Sequence, residues 1–219
     1  RGAAAAPGGA YRGPRDGGGR PHGHGELRCW DGSVYQGEFH QGVQEGQGEL
    51  RFADGARCRG RFVAGLPHGR CEYFDPEDKT TLYGTYVHGE LQGPAEQWDE
   101  GGRLVFRGRF ERDVRAGVAE VFDDFGARVV GPVDGEGDHT GEGIAYIFPD
   151  GRTALVGSFE DAEFRSGFYA EVLEPLEPLP LGPPRDGARL LGAGPRMPRL
   201  LRSARVPEAV RRDVSTREA

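Results

Sequence analysis

The chain of 219 residues contains no Asn, one Lys (Lys79), one Met and three Cys. Each shortage excludes something. Cys29, Cys58 and Cys71 cannot close into a full disulfide set and show no CxxC spacing, which points to a reducing intracellular setting. No apolar run approaches the roughly 20 residues a helix needs to span a bilayer. No Gly-X-Y register persists, so collagen is excluded. With neither an initiator Met nor an apolar secretory stretch, Arg1 reads as the start of a fragment. Basic residues number 28 against 35 acidic, and residues 21–170 alone carry a net charge of −12. An acidic body disfavours nucleic acid and anionic membrane surfaces, both of which require a cationic footprint.

What the chain does have is glycine and proline: 38 and 16 residues, about a quarter of the total. Such a load means low complexity when it is aperiodic and a repeat fold when it is periodic. Residues 1–20, with Tyr11 as their one aromatic, are expected to be disordered. From residue 21 to about 170, short alternating apolar runs separated by Gly-containing turns point to strands and hairpins.

These strands repeat. An aromatic-x-Gly-x-aromatic core recurs as Tyr35-Gly37-Phe39, Cys58-Gly60-Phe62, Leu82-Gly84-Tyr86, Phe106-Gly108-Phe110, Val129-Gly131-Val133 and Leu155-Gly157-Phe159. A second series, Gly23, Gly46, Gly69, Gly93, Gly117, Gly141 and Gly167, runs with the same period of 23 to 26 residues. Residues i, i+2 and i+4 of a strand share a face, so each central Gly leaves a gap between large neighbours. A branched side chain at Gly60 or Gly84 would fill that gap. Two residues after each second-series Gly the side chain is small: Gly25, Gly48, Cys71, Ala95, Ala119 and Gly143. One period holds two strands and two tight turns, with turn chemistry at Asp31-Gly32, Asp54-Gly55, Gly101-Gly102 and Asp150-Gly151. The expected fold is all-β: an elongated, twisted antiparallel sheet of successive hairpins with disordered ends.

The pattern Y-x-G-x-F-x-x-G, followed by an Asp-Gly turn, resembles the MORN repeat and is plainest over residues 35–55. Residues 84–118 and 140–161, with GPAE at 93–96, IAY at 144–146 and RTAL at 152–155, are similar to the N-terminal half of SET-domain protein-lysine methyltransferases. The resemblance implies about six MORN repeats over 21–170 and a regulatory or substrate-positioning role. It implies basic partners such as histone tails, an adjoining SET domain, and a chromatin-associated nuclear location with the cytoplasm also open. It implies S-adenosylmethionine as cofactor of the full-length family. That cofactor and the catalytic Tyr belong to the SET domain, whose N-H-S segment needs an Asn that this chain lacks. The expectation is therefore a non-catalytic chain with no catalytic, cofactor-binding or metal residue, inactive as a methyltransferase by itself. The alternative is a stand-alone MORN scaffold for protein or membrane association. Residues 171–219, rich in Pro, Leu and Arg, read as a disordered tail, with Arg196, Arg199 and Arg202 at helical spacing.

The remaining candidates have blander readings. His22, His68 and His88 each precede Gly, and His24 adds another such pair; they read as turn or surface residues because a metal site needs further ligands. Cys58 and Cys71 stand in core positions and read as packing residues. The acidic run from Asp123 to Asp161 fits no EF-hand spacing and reads as a solvated edge. Gly135-x-Gly137 and Gly141-x-Gly143 lack the Lys of a phosphate loop. Trp30 and Trp98 read as packing anchors.

Overall fold

The structure, a computed structural model, describes residues 9–160, 163–174, 176, 182–184 and 195–202. Among these residues there is no helix, and all strand pairing is between chain neighbours and antiparallel. They divide into two compact units. The first holds β1 (Gly9–Arg12), β2 (Gly23–Cys29), β3 (Val34–His40), β4 (Val43–Arg51), β5 (Arg57–Val63), β6 (Leu66–Asp75), β7 (Thr80–Val87) and β8 (Glu90–Asp99), together with Phe110–Asp113. The second holds Leu104–Arg109 of β9 (Leu104–Glu111), then β10 (Val114–Phe122), β11 (Arg128–Pro132), β12 (Gly141–Ile147), β13 (Thr153–Glu160), β14 (Glu163–Val172) and β15 (Leu200–Arg202).

Alternation makes the strands. In β3, Tyr35, Gly37 and Phe39 face inward while Gln36, Glu38 and His40 face solvent. Two kinds of turn join them. Gln41-Gly42, Ala64-Gly65 and His88-Gly89 have positive φ at both residues, the two-residue hairpin geometry whose twist matches that of the strands. At the other strand ends an Asp carboxylate organises a longer turn. Asp31 accepts from Ser33 N, Asp54 from Ala56 N and Asp99 from Arg103 N, at 2.8 to 2.9 Å.

The second glycine series lies in neither turn. Three of its members sit in bulges within the strands. Gly37 pairs with Gly48 and Phe39 with Gln44, so three residues of β4 oppose one of β3. The same irregularity recurs between β5 and β6 and between β7 and β8. Gly46, Gly69 and Gly93, at φ +99, +75 and +81, lie within these bulges, a left-handed backbone that favours glycine.

Both chain ends hold more structure than composition implied. The expectation of disorder through residue 20 fails over Gly9–Arg12, which pairs with Glu26–Cys29 of β2. Asp16 then closes a turn by accepting from Gly18 N and Arg20 N at 2.9 and 3.0 Å. Residues 1–8 lie outside the described part. The tail expected to be disordered from residue 171 instead continues β14 to Val172, and Leu200–Arg202 pairs with that strand. No helix forms over Arg196–Arg202, where Pro198 supplies no N–H. Leu176 and Leu200 pack on the second unit's core of Val130, Ala145, Ile147, Ala154, Val156 and Ala170. Apolar contact and edge pairing outweigh a proline-rich composition here; residues 203–219 lie outside the described part.

Candidate functional site

The repeat residues form a series of cradles. Tyr35 is fully buried in the first unit, and a Cβ on Gly48 would lie 2.3 Å from its hydroxyl oxygen. A Cβ on Gly37 would meet the same oxygen at 2.6 Å and the Gly48 backbone at 2.5 Å. The ring therefore lies over two glycines on adjacent strands, and its hydroxyl donates to Glu38 O at 3.2 Å. Edge-to-face contacts at 5.2 Å to Phe39 and 4.9 Å to Phe62 extend the row. Tyr11 does the same over Gly25 and Gly13 and meets Phe39 at 5.0 Å.

Later units change the pair while keeping the fit. Cys58 takes the Tyr position and Cys71 the Gly position, so Gly60 faces the Cys71 thiol at 2.4 Å from an added Cβ. Both thiols are buried; the Cys71 thiol beside it, then burial, push the Cys58 thiol far above its usual range. Gly84 faces Leu91 and Ala95, and Gly108 faces Phe106 and Ala119. Gly131 faces Ile144 at 2.9 Å, and Gly157 pairs with Gly167. Phe159 stands opposite Gly141 in the ladder.

Tyr86 and Phe110 stand apart from this row. With Tyr73 they line a cleft of about 660 Å³ in the first unit, whose other walls include Asp54, Asp75, Glu77 and Asp113 and no basic side chain. Tyr86 is 8% exposed, and burial, followed by the neighbouring thiols and Asp113, keeps its phenol neutral far beyond the usual range. In the second unit, Glu120 bridges two arginines: Arg107 Nη1 at 3.4 Å and Arg128 Nη1 at 3.2 Å, all three side chains being 13% exposed or less. Sequence reading did not single out this cluster, because the three residues come from three strands.

Other candidates fall out simply. Among the described residues no group of three or more His, Cys, Asp or Glu is placed to hold a metal. The ring of His22 lies tilted against His40 at 5.2 Å and that of His68 against His88 at 5.6 Å. Asp123 and Asp134 organise turns, Asp134 Oδ1 accepting from the amides of Glu136, Gly137 and Asp138 at 2.9 to 3.0 Å. Trp98 is a buried anchor, but Trp30 is not: it lies in the turn after β2 and is 82% exposed. The first unit's cleft does not suit S-adenosylmethionine. The cleft's carboxylate rim offers no cation to the cofactor's own carboxylate, and the N-H-S segment has no counterpart.

A sheet of hairpins with glycine bulges and aromatic-over-glycine cradles defines a MORN-type repeat protein. Residues 18–34, 35–57 and 58–77 match the MORN repeat, and residues 110–178 match the family described as histone H3 K4-specific methyltransferase SET7 N-terminal. The glycine period thus runs through both matched regions. The histone-lysine N-methyltransferase SETD7 of Halocynthia roretzi is 35% identical over 164 residues, covering 75% of this chain and 42% of that relative. The chain thus carries MORN repeats followed by a SET7 N-terminal domain, and is homologous to part of that SETD7 relative. It spans less than half the length of that relative.

Proposed function

We propose that this region orients a SET catalytic domain in the full-length protein and recruits basic polypeptides to it, histone tails among them. The reading rests on one observation: the family region carries net −12 over residues 21–170, a potential that concentrates cationic partners and steers their approach. Binding and turning over S-adenosylmethionine then falls to the SET domain, and the nucleus, at chromatin, is the location that fits such a substrate.

The test is a binding titration of the 219-residue chain with a fluorescent histone-tail peptide. Binding is expected at low ionic strength and should weaken steadily as salt screens the charges. A salt-independent affinity, or none at low salt, overturns the reading. A methyltransferase assay on the same polypeptide should give no turnover.

A further inference from the structure

The strand that closes the second unit is unlike the others. β15 comes from a distant, proline-containing stretch of the chain, with Pro195 and Pro198 just before it. It meets β14 in three ways. Its backbone pairs Leu200 with Val172, Leu201 with Glu171 and Arg202 with Ala170, and Leu173 N donates to Arg199 O at 2.9 Å. Leu200 packs on the core of Val130, Ala145, Ile147, Ala154, Val156 and Ala170. Arg199 Nη1 lies 3.1 Å from Glu174 Oε1. A backbone ladder, an apolar anchor and a side-chain pair are the means by which a sheet edge takes up an extended peptide.

The cap is also small for its edge. β14 runs ten residues, Glu163–Val172, and β15 pairs with three of them. Among the described residues no other strand lies on that side of β14. Three paired residues is short for a strand, and Pro198 supplies no N–H to lengthen the ladder. The Arg199–Glu174 pair is exposed at both ends, where an ion pair holds weakly. A strand held this loosely gives way to a longer one that makes the same contacts.

We propose that the edge of β14 docks an extended basic segment of a polypeptide partner, one carrying a leucine-like side chain beside arginine, and that Arg199–Arg202 occupies this edge in cis as an internal competitor. The chain's own strand displays the ligand chemistry: main-chain pairing, Leu200 on the core, Arg199 on a carboxylate. Glu171 and Glu174, both exposed, favour a cationic strand over an acidic one. The proposal rests on the reading that this region recruits basic polypeptides; it assigns that recruitment to one edge and makes it depend on displacing the tail.

The experiment uses the full chain and a fluorescent octapeptide with the sequence of residues 195–202, followed by anisotropy at low salt. Leu200→Asp in the chain sets a charge against the apolar core and releases β15. If the tail is docked about nine-tenths of the time, its release should raise probe affinity about tenfold, because apparent affinity scales with the fraction of open edges. Arg199→Glu alters an exposed position, so it tests the same release should Leu200→Asp fail to fold; it should raise affinity about twofold to fivefold, the range of a surface ion pair. A probe with Asp in place of the leucine matching Leu200 should bind neither variant. If both variants bind the probe no more tightly than wild type while a histone-tail peptide still binds, the edge assignment fails and the recruitment of basic partners stands. If neither peptide binds at low salt, both fail. Variants that dimerise in sedimentation and bind no probe would make a second copy of the chain the occupant and overturn the assignment to a basic partner.

Discussion

Asp113 holds Leu91 at both ends of its backbone: Asp113 N donates to Leu91 O at 3.1 Å, and Leu91 N donates to Asp113 Oδ1 at 2.7 Å. The first of these bonds belongs to the repeat. Gly42 N reaches Pro21 O, Gly65 N reaches Gln44 O and Gly89 N reaches Pro67 O in the same way, at 2.8 to 3.0 Å. Each hairpin turn thereby ties itself to the preceding hairpin. Asp113 is the departure, a non-glycine residue at φ +65 where its counterparts are glycine, and the second bond is what it gains.

Replacing Asp113 separates these contributions. Asp113→Ala keeps the left-handed backbone with a side chain that suits it poorly, and it leaves Leu91 N without its acceptor. A loss of about 2–3 kcal/mol is expected in urea unfolding. Asp113→Asn, which tolerates the conformation and retains an acceptor oxygen, should cost under about 1 kcal/mol. Equal losses for Ala and Asn would show that the clasp to Leu91 does not stabilise the turn.

The Tyr35 cradle gives a steric prediction. Gly48→Val places carbon where the Tyr35 hydroxyl lies, in strands that cannot separate without breaking their ladder. A loss of about 3 kcal/mol or more is expected, since overpacking alone costs about 1–3 and the displaced ring gives up buried area. Tyr35→Phe forfeits only the bond to Glu38 O, worth about 1 kcal/mol. Pairing Gly48→Val with Tyr35→Leu should recover part of the loss in a double-mutant cycle. Simple additivity of the two changes would refute the cradle.

The architecture was legible because its signals are local and repeated. Alternation within β3 and the glycine period each reflect contacts made once per hairpin, so each unit restates them. What escaped reading depends on a single unit. Tyr11-x-Gly13 stands 24 residues before Tyr35-x-Gly37 and would have extended the repeat to the first strand, but Gly-rich composition around it argued for disorder. Trp30 reads as a packing anchor in sequence, although it occupies the turn beside Asp31 and Gly32 and is exposed. The cleft was invisible for another reason. Asp54, Tyr86 and Asp113 come from three different hairpins, and no spacing rule links them.

The three cysteines provide a chemical check on the packing. Cys29, Cys58 and Cys71 are all free and buried, with Cys58 and Cys71 standing in positions that elsewhere hold a ring and the glycine beneath it. Burial shields all three thiols; the contact between Cys58 and Cys71 raises the Cys58 thiol and lowers that of Cys71, so for Cys71 it is burial that blocks reaction. Titration with a disulfide reagent at neutral pH should find none of the three reactive in the native chain within minutes, and all three in denaturant. Rapid reaction of Cys58 in the folded protein would contradict the buried cradle.

Acid sensitivity should begin at His139 rather than at the turn carboxylates. His139 sits in the second unit with Nδ1 3.3 Å from Pro132 O and no partner for the buried Nε2. Burial holds its pKa below the ordinary histidine value, against a weaker upward pull from Pro132 O and, lower in order, Asp138. The unfolded chain therefore binds this proton more readily than the folded one. The stability contributed by neutral His139 is complete above the unfolded value of about 6.5 and declines as pH falls below it. Asp134 behaves differently. Its three backbone donors hold its pKa below the usual carboxylate value, so its contribution survives through pH 4 and is lost only as pH falls through the depressed value. Urea unfolding at a series of pH values should show a decline in stability as pH falls below about 6.5 that His139→Gln abolishes and Asp134→Asn leaves in place. A decline of unchanged size in His139→Gln would place the titrating group elsewhere.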